Sequence, residues 1–158
     1  MRRRMSAPPV TRLTESDWRE FAVLRLRALT DTLGTADPQY LQEMEFTSVQ
    51  WRRRLRAHAQ FAAPVDDHLA GLIGAQRATV ESVYLYSLWL EPAARGRGLG
   101  HALVSAAVQW ACGEGVRTIT LRVDANNAAA RGVYEQLGFG VSNTSTKAGE
   151  ITMVLNVD

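Results

Sequence analysis

Residues 95–101 read Arg95-Gly96-Arg97-Gly98-Leu99-Gly100-His101, and the amphipathic run "HALVSAAVQWA" continues from His101. Gly96, Gly98 and Gly100 let the backbone approach a ligand closely and adopt positive φ at little steric cost. A helix starting at Leu99 leaves its first N–H groups without intrahelical partners, with the positive end of the helix dipole behind them. A glycine loop leading into a helix N-terminus is an anion seat, suited to phosphate or pyrophosphate, and Arg95 and Arg97 add positive charge. The plainer reading is a glycine-rich turn that merely joins a strand to a helix.

Two familiar nucleotide loops do not fit. A P-loop needs G-x-x-x-x-G-K-[ST], and the single lysine, Lys147, precedes Ala148. A dinucleotide fingerprint G-x-G-x-x-G begun at Gly96 fails at His101, and it belongs to a first βαβ unit rather than to a loop past mid-chain.

Outward from the loop, the element pattern is readable. "TVESVYLYSLWL" before it is rich in β-branched and aromatic residues and predicts a strand. After it, a helix is expected from Leu99 to Cys112, with Leu99, Leu103, Ala106 and Trp110 as its buried stripe and Gly113 or Gly115 ending it. "RTITLRVDA" alternates as a strand, "NNAAARGVYEQLGF" predicts a short helix stopped by Gly138, and "EITMVLNV" a closing strand. Upstream, a strand over 10–13 leads into a helix capped by Thr14, with Phe21, Leu24 and Ala28 on one stripe. Residues 31–47, holding Gly34 and Pro38, predict a structured loop, and "SVQWRRRLRAH" a second helix whose Arg52, Arg53, Arg54 and Arg56 form a solvated face. Two strands follow, turning at Asp66-Asp67 and irregular at Pro64. The strand–loop–helix–strand unit at 82–124 predicts a right-handed parallel crossover.

Bulk numbers bound the function. The 158 residues suit one domain, 10–158, after a short disordered arm at 1–9. Eighteen basic and sixteen acidic residues nearly balance at +2, and seventeen of the basic ones are arginine; this is not a nucleic-acid-binding signature. Cys112 is the sole cysteine, so neither an intrachain disulfide nor a Cys-based metal site forms. That suits a reducing, cytoplasmic setting, and Cys112 itself is expected to be buried or inert. No apolar run approaches a membrane span, and the basic start has no apolar h-region of a secretory signal. His58, His68 and His101 have no ligand spacing, so no metal is expected.

Two motifs then carry a family resemblance. Arg95-Gly96-Arg97-Gly98-Leu99-Gly100 matches [Q/R]-x-x-G-x-[G/A], the coenzyme A motif of the GNAT superfamily of acyl-CoA N-acyltransferases. Downstream, "LRVDANNAAARGVYEQLGF" is similar to that family's second pattern, with Asn127, Ala130, Tyr134, Gly138 and Phe139 at its positions. The two together cover about 82–140; the N-terminal third matches only in element order.

The resemblance implies a single α/β domain: a central mixed sheet with two splayed parallel strands, flanked by about four helices. It implies acetyl-CoA as co-substrate, with no metal, and transfer of an acetyl group to a primary amine of a small molecule or peptide. The pantetheine arm would pair with Leu88, Trp89 and Leu90, and the Leu90 N–H would polarise the thioester carbonyl. The pyrophosphate would sit on residues Gly96 to His101, including Leu99. Asn127 would bond the coenzyme arm, although a helix N-cap is the plainer role. Tyr134 would protonate the leaving thiolate; for a lone tyrosine on an amphipathic helix, a core position is the plainer reading. Many members carry a glutamate where Tyr84 stands here, so a water-relayed base is expected, with Glu81 the candidate and Tyr84 and Tyr86 lining the site. The acceptor pocket would lie around 25–51, where Glu43 and Glu45 could attract an amine and Trp51 and Tyr40 pack on it; Trp89 would shape the acyl pocket. Alternatives are a longer acyl group or a non-catalytic CoA-binding sensor. No nucleic-acid or membrane partner is expected, and a homodimer is left open.

Overall fold

The computed structural model describes residues 9–142 and 148–157. The N-terminal arm expected at 1–9 and Lys147 therefore lie, apart from Pro9, outside the described residues. Seven strands form one sheet: β1 (Thr11–Arg12), β2 (Ala59–Val65), β3 (His68–Thr79), β4 (Ser82–Leu90), β5 (Thr118–Asp124), β6 (Gly140–Val141) and β7 (Glu150–Asn156). Their order is β1-β2-β3-β4-β5-β7-β6. Every neighbouring pair is antiparallel except β4 and β5, which are parallel. The helices are α1 (Trp18–Thr32), α2 (Pro38–Met44), α3 (Ser48–Ala57), α4 (Leu99–Gly113) and α5 (Ala128–Gln136).

Alternation along the central strands divides the core. Val83, Leu85, Ile119 and Leu121 face α4 and meet its Leu103, Val104, Ala107 and Ala111. On the opposite face Phe21 and Leu24 of α1 and Trp51 and Leu55 of α3 close over Ala62, Leu72 and Trp89.

Several local expectations change. The segment 31–47 contains a helix, α2: Asp37 Oδ1 accepts the Gln39 N–H and Pro38 occupies the first turn, where its missing N–H is harmless. With it, the described residues hold five helices where about four were expected. Thr14 caps a 3-10 turn, Glu15–Asp17, in a reciprocal box with Asp17, and α1 begins after it. The buried stripe of α4 runs through Leu99, Leu103, Ala107 and Ala111, so Ala106 and Trp110 are only partly covered. Cys112, expected to be buried, is exposed. The arginines of α3 are not simply solvated: Arg56 pairs with Glu15 at 2.7 Å, Arg52 lies over Trp18, and Arg54 approaches Glu43 at 3.7 Å.

The parallel pair is short. Register runs only from Ser82 opposite Thr118 to Leu85 opposite Leu121. Beyond it β5 continues on β7 alone and β4 on β3 alone. A bulge marks the parting: Gly74 faces Tyr86 and Leu72 faces Trp89, two steps on β3 against three on β4. The extra residue region holds Ser87 at φ +58°, a left-handed conformation in a non-glycine residue.

Candidate active site

The parted strands leave one edge of β4 open. The Glu91 N–H donates to Ala70 O across to β3. Strand alternation then turns the N–H group of Leu90 to the other side, where β5 has moved away. The Leu90 carbonyl on that side accepts a hydrogen bond from Arg95 Nε at 3.0 Å. Gly71 makes room for this strand end, because a Cβ there would collide with Leu90 Cδ2 and lie 2.9 Å from the Trp89 carbonyl oxygen.

At the same end, Gly96 and Gly98 have φ of +79° and +81°, and Gly98 is the N-cap of α4 with no side-chain cap. The first bond into α4 runs from the Ala102 N–H to Gly98 O, so the N–H groups of residues 99–101 have no partner within the helix. A Cβ at Gly96 or Gly98 would meet nothing within 4 Å, so these positions need glycine for their backbone rather than for space. Gly100 is packed beneath Leu90 and Val133 instead.

A cavity of about 550 Å³ joins these pieces. Leu88, Trp89, Leu90, Arg95, Gly96, Gly98, Gly100, His101 and Asn127 all line it, with Ala130 and Val133 of α5 opposite. Arg97 is exposed beside the cavity lining, and Leu99 is buried in the core below it. Arg95 does not point freely at the seat: its Nη2 lies 3.2 Å from Asp31 Oδ2, which also accepts the Trp89 indole N–H at 2.8 Å. Asn127 Oδ1 caps α5 through the Ala130 N–H at 3.1 Å, leaving its amide hydrogens for other acceptors.

Tyr134 is buried, packs edge-on against Phe139, and its hydroxyl makes no hydrogen bond with the described residues. Burial, and secondarily the phenol of Tyr84, push its pKa to about 12. Tyr84 and Tyr86 share one face of β4 with rings stacked at 6.3 Å. Burial raises the Tyr84 phenol, opposed by Arg122, whose guanidinium lies 5.9 Å from the ring.

The carboxylates expected to serve the acceptor do not all gather here. Glu81 sits on the β3–β4 turn, exposed and 3.7 Å from Arg117. It is at the far end of β4, roughly 30 Å of strand from Leu90, so the structure does not bring it to the site. Glu43 is buried and gripped by Arg25 through two hydrogen bonds of 3.0 and 3.2 Å, with Gln39 adding a third at 3.1 Å. Burial alone would raise its carboxyl; Arg25, Gln39 and Arg54 overcome that and hold it below the usual range. It is therefore a neutralised partner, not an open lure for an amine. Trp51 is core, edge-on to Phe21 and Phe46, while Tyr40 borders a neighbouring cleft with Asp31 and Trp89 and Glu45 is exposed.

Four contributors went unread in the sequence. Arg25 Nη1 donates to Ser87 Oγ at 2.7 Å, tying α1 to the bulge. Asp31 fastens Trp89 and Arg95. His58 and Gln60 both bond the Tyr86 hydroxyl. These pairs lie 28 to 62 residues apart for Tyr86–His58 and Ser87–Arg25, and no local spacing signals them.

Residues 13–139 match the acetyltransferase (GNAT) family. The chain belongs to that family. Solved relatives share its fold. PaiA N-acetyltransferase from Thermoplasma acidophilum, in complex with coenzyme A, superposes with a TM-score of 0.73 at 17% identity, covering 94% of this chain and 98% of that one. A GNAT-family acetyltransferase from Streptococcus pneumoniae gives 0.75 at 19% identity over 94% and 99%. Among curated proteins, mycothiol acetyltransferase from Mycobacteroides abscessus is 42% identical over 65 residues, 41% of this chain and 22% of that protein. The Streptomyces avermitilis enzyme of the same name is 38% identical over 85 residues, 53% of this chain and 28% of its own length. The chain thus spans about a quarter of the length of the curated relatives it matches. Among the described residues no cluster fit to hold a metal is found, and no helix is long and apolar enough to cross a membrane.

Proposed function

We propose that this GNAT-family chain transfers an acetyl group from acetyl-CoA to a primary amine of a small molecule or peptide. The observation that carries the reading is the single cavity running from the glycine loop along the open edge of β4 to α5. Its parts suit the three regions of an acyl-CoA. The N–H groups at the start of α4 receive a pyrophosphate. The open main chain of Leu88 to Leu90 pairs with an extended pantetheine amide chain, as a strand edge does. The Leu90 N–H then polarises the thioester carbonyl.

Tyr134 donates from its unpartnered hydroxyl to the departing sulfur. With its pKa near 12, full proton transfer to a thiolate of ordinary pKa, about 8.5, is uphill by roughly 5 kcal/mol. Tyr134 therefore acts first as a hydrogen-bond donor to developing negative charge, and passes its proton on only as the phenolate it leaves is solvated. Arg95 serves the coenzyme by holding the end of β4 to α1 as much as by its charge. Asn127 donates its free amide hydrogens to the coenzyme arm. The local similarity to mycothiol acetyltransferases supports acetyl as the group transferred; it covers too little of either chain to carry an acceptor.

Calorimetry with CoA and thiol release from acetyl-CoA with a panel of amines test this. Micromolar CoA binding and amine-dependent thiol release are expected. Binding without release for any amine makes the chain a CoA sensor, and no binding refutes the reading.

A further inference from the structure

Glu81, the base expected from the sequence, lies at the far end of β4, so the proton of an attacking ammonium needs another path. On the side of β4 that faces Arg25 of α1, Glu43 of α2 and Arg54 of α3, the Tyr86 hydroxyl bonds both His58 Nδ1 and Gln60 Nε2, the latter at 2.7 Å. An amide nitrogen only donates, so the phenol oxygen accepts from Gln60. The tautomer of His58 sets the other bond: with its hydrogen on Nε2, the neutral imidazole accepts the Tyr86 hydrogen at Nδ1. The Tyr86 oxygen keeps a lone pair for one further donor. Its ring is seated by Gly74, where a Cβ would strike it, and it stacks on Tyr84.

Resting on the acetyltransferase reading above, we infer that Tyr86 and His58 form the proton exit of this enzyme, with the acceptor ammonium bound at the Tyr86 oxygen and His58 receiving the proton behind it. An N–H bond of the ammonium breaks as its proton joins the Tyr86 oxygen. The Tyr86 O–H bond breaks in turn as that proton joins His58 Nδ1, forming imidazolium. The freed nitrogen lone pair makes the C–N bond to the acetyl carbon as the carbonyl π pair moves to oxygen. When that pair returns, the C–S bond breaks, the departing sulfur takes the Tyr134 proton, and the second N–H proton of the new amide restores the Tyr134 phenol. Imidazolium later loses its Nε2 proton to water, and the Tyr86–His58 bond resets.

The charged and titratable groups around the pair are Arg54 on α3, Arg25 on α1, Glu43 on α2 and Tyr84 on β4. Burial, with Arg54 adding to it, lowers the His58 pKa below its usual 6.5, and burial raises that of Tyr86. At neutral pH the imidazole is therefore free to accept and the phenol holds its proton.

His58→Asn separates the two roles of His58, because the Asn carbonyl can still accept the Tyr86 hydrogen but cannot take a proton. Initial rates of acetyl transfer are measured from pH 5 to 10 with the best of 1,4-diaminobutane, glycinamide and an alanine-led tripeptide as probe, beside CoA affinity. The wild type should show an ascending limb below pH 6.5. His58→Asn and Tyr86→Phe should move that limb toward the probe amine's own pKa and lose roughly 100-fold at pH 7, with CoA affinity unchanged. A wild-type profile in His58→Asn overturns the inference. Imidazole nitrogen NMR of the wild type gives a second readout that needs no acceptor: hydrogen on His58 Nε2 supports the relay, and hydrogen on Nδ1 at neutral pH overturns it. Failure of CoA to bind the wild type would instead refute the acetyltransferase reading.

Discussion

Glu43→Ala should be among the most destabilising single changes in the protein. Arg25 and Glu43 are respectively 3% and 2% exposed, and the guanidinium meets the carboxylate through two bonds, 3.0 and 3.2 Å long. Removing the carboxylate leaves Arg25 buried with only the Ser87 hydroxyl for company, and Arg54 loses its near partner as well. Deleting one half of a buried pair costs about 3–5 kcal/mol, mostly the desolvation of the charge left behind. For a chain of this size, that lowers the melting midpoint by roughly 6–20 °C. Arg25→Met together with Glu43→Met removes both charges, and paired apolar replacement is often close to neutral. The double variant should therefore be more stable than Glu43→Ala alone.

The same pair sets an acid limit. The Glu43 carboxyl is held below its ordinary value of 4.5 in the fold. A depressed folded pKa contributes stability that is full above the unfolded value and is lost as pH falls through the folded one. Urea unfolding from pH 3 to 7 should show the wild type weakening below pH 4.5, with a shallower acid slope in the double variant. A loss under about 1 kcal/mol for Glu43→Ala, or a double variant whose loss equals the sum of the single changes, would refute the view of this pair as a coupled buried unit.

Gly98→Ala should weaken CoA binding and cost about 1–2 kcal/mol, because φ is +81° while the space is open; Gly98→Asn should cost less, and calorimetry with thermal melts separates the two. Tyr134→Phe should reduce kcat by roughly 100-fold while CoA affinity and melting midpoint stay at wild-type values, since the hydroxyl has no partner to lose. Gly71→Ala should lose roughly 1–3 kcal/mol by forcing Leu90 and the Trp89 carbonyl outward, and should raise the KM for acetyl-CoA.

The half of the fold around the glycine loop and β5 was legible because its signals are local. Glycines 96 and 98 sit where positive φ is needed, and the alternation of Ile119, Leu121 and Val123 survives as burial in β5. The misreadings also have local causes. Gly34 and Pro38 were read as breakers, yet Asp37-Pro38 is a helix start. In α4, Ala106 and Ala107 are equally apolar, so periodicity alone could not choose which one faces the sheet. The contacts among α1, α2 and α3 were far less legible. Glu43 becomes buried only because Arg25, on another helix, neutralises it, and nothing in either residue's neighbourhood announces the match. The same holds for His58, whose role depends on a tyrosine in a strand two elements away.

This division has a physical reason in β4. The coenzyme contacts proposed above would use main-chain N–H groups at the strand's open edge and at the start of α4, so they would tolerate almost any side chain and need only the right backbone. That backbone requires the strands to part, and the parting coincides with a bulge whose Ser87 takes a left-handed conformation that non-glycine residues resist. Ser87 is bonded there by Arg25, Arg25 is held in its buried place by Glu43, and Glu43 lies on the short helix α2. The ion pair between α1 and α2 thus supports the geometry of the open edge of β4. Two chemically separate halves of the site are joined through one serine, so a change in α2 that never touches coenzyme should still alter how β4 presents the Leu90 N–H.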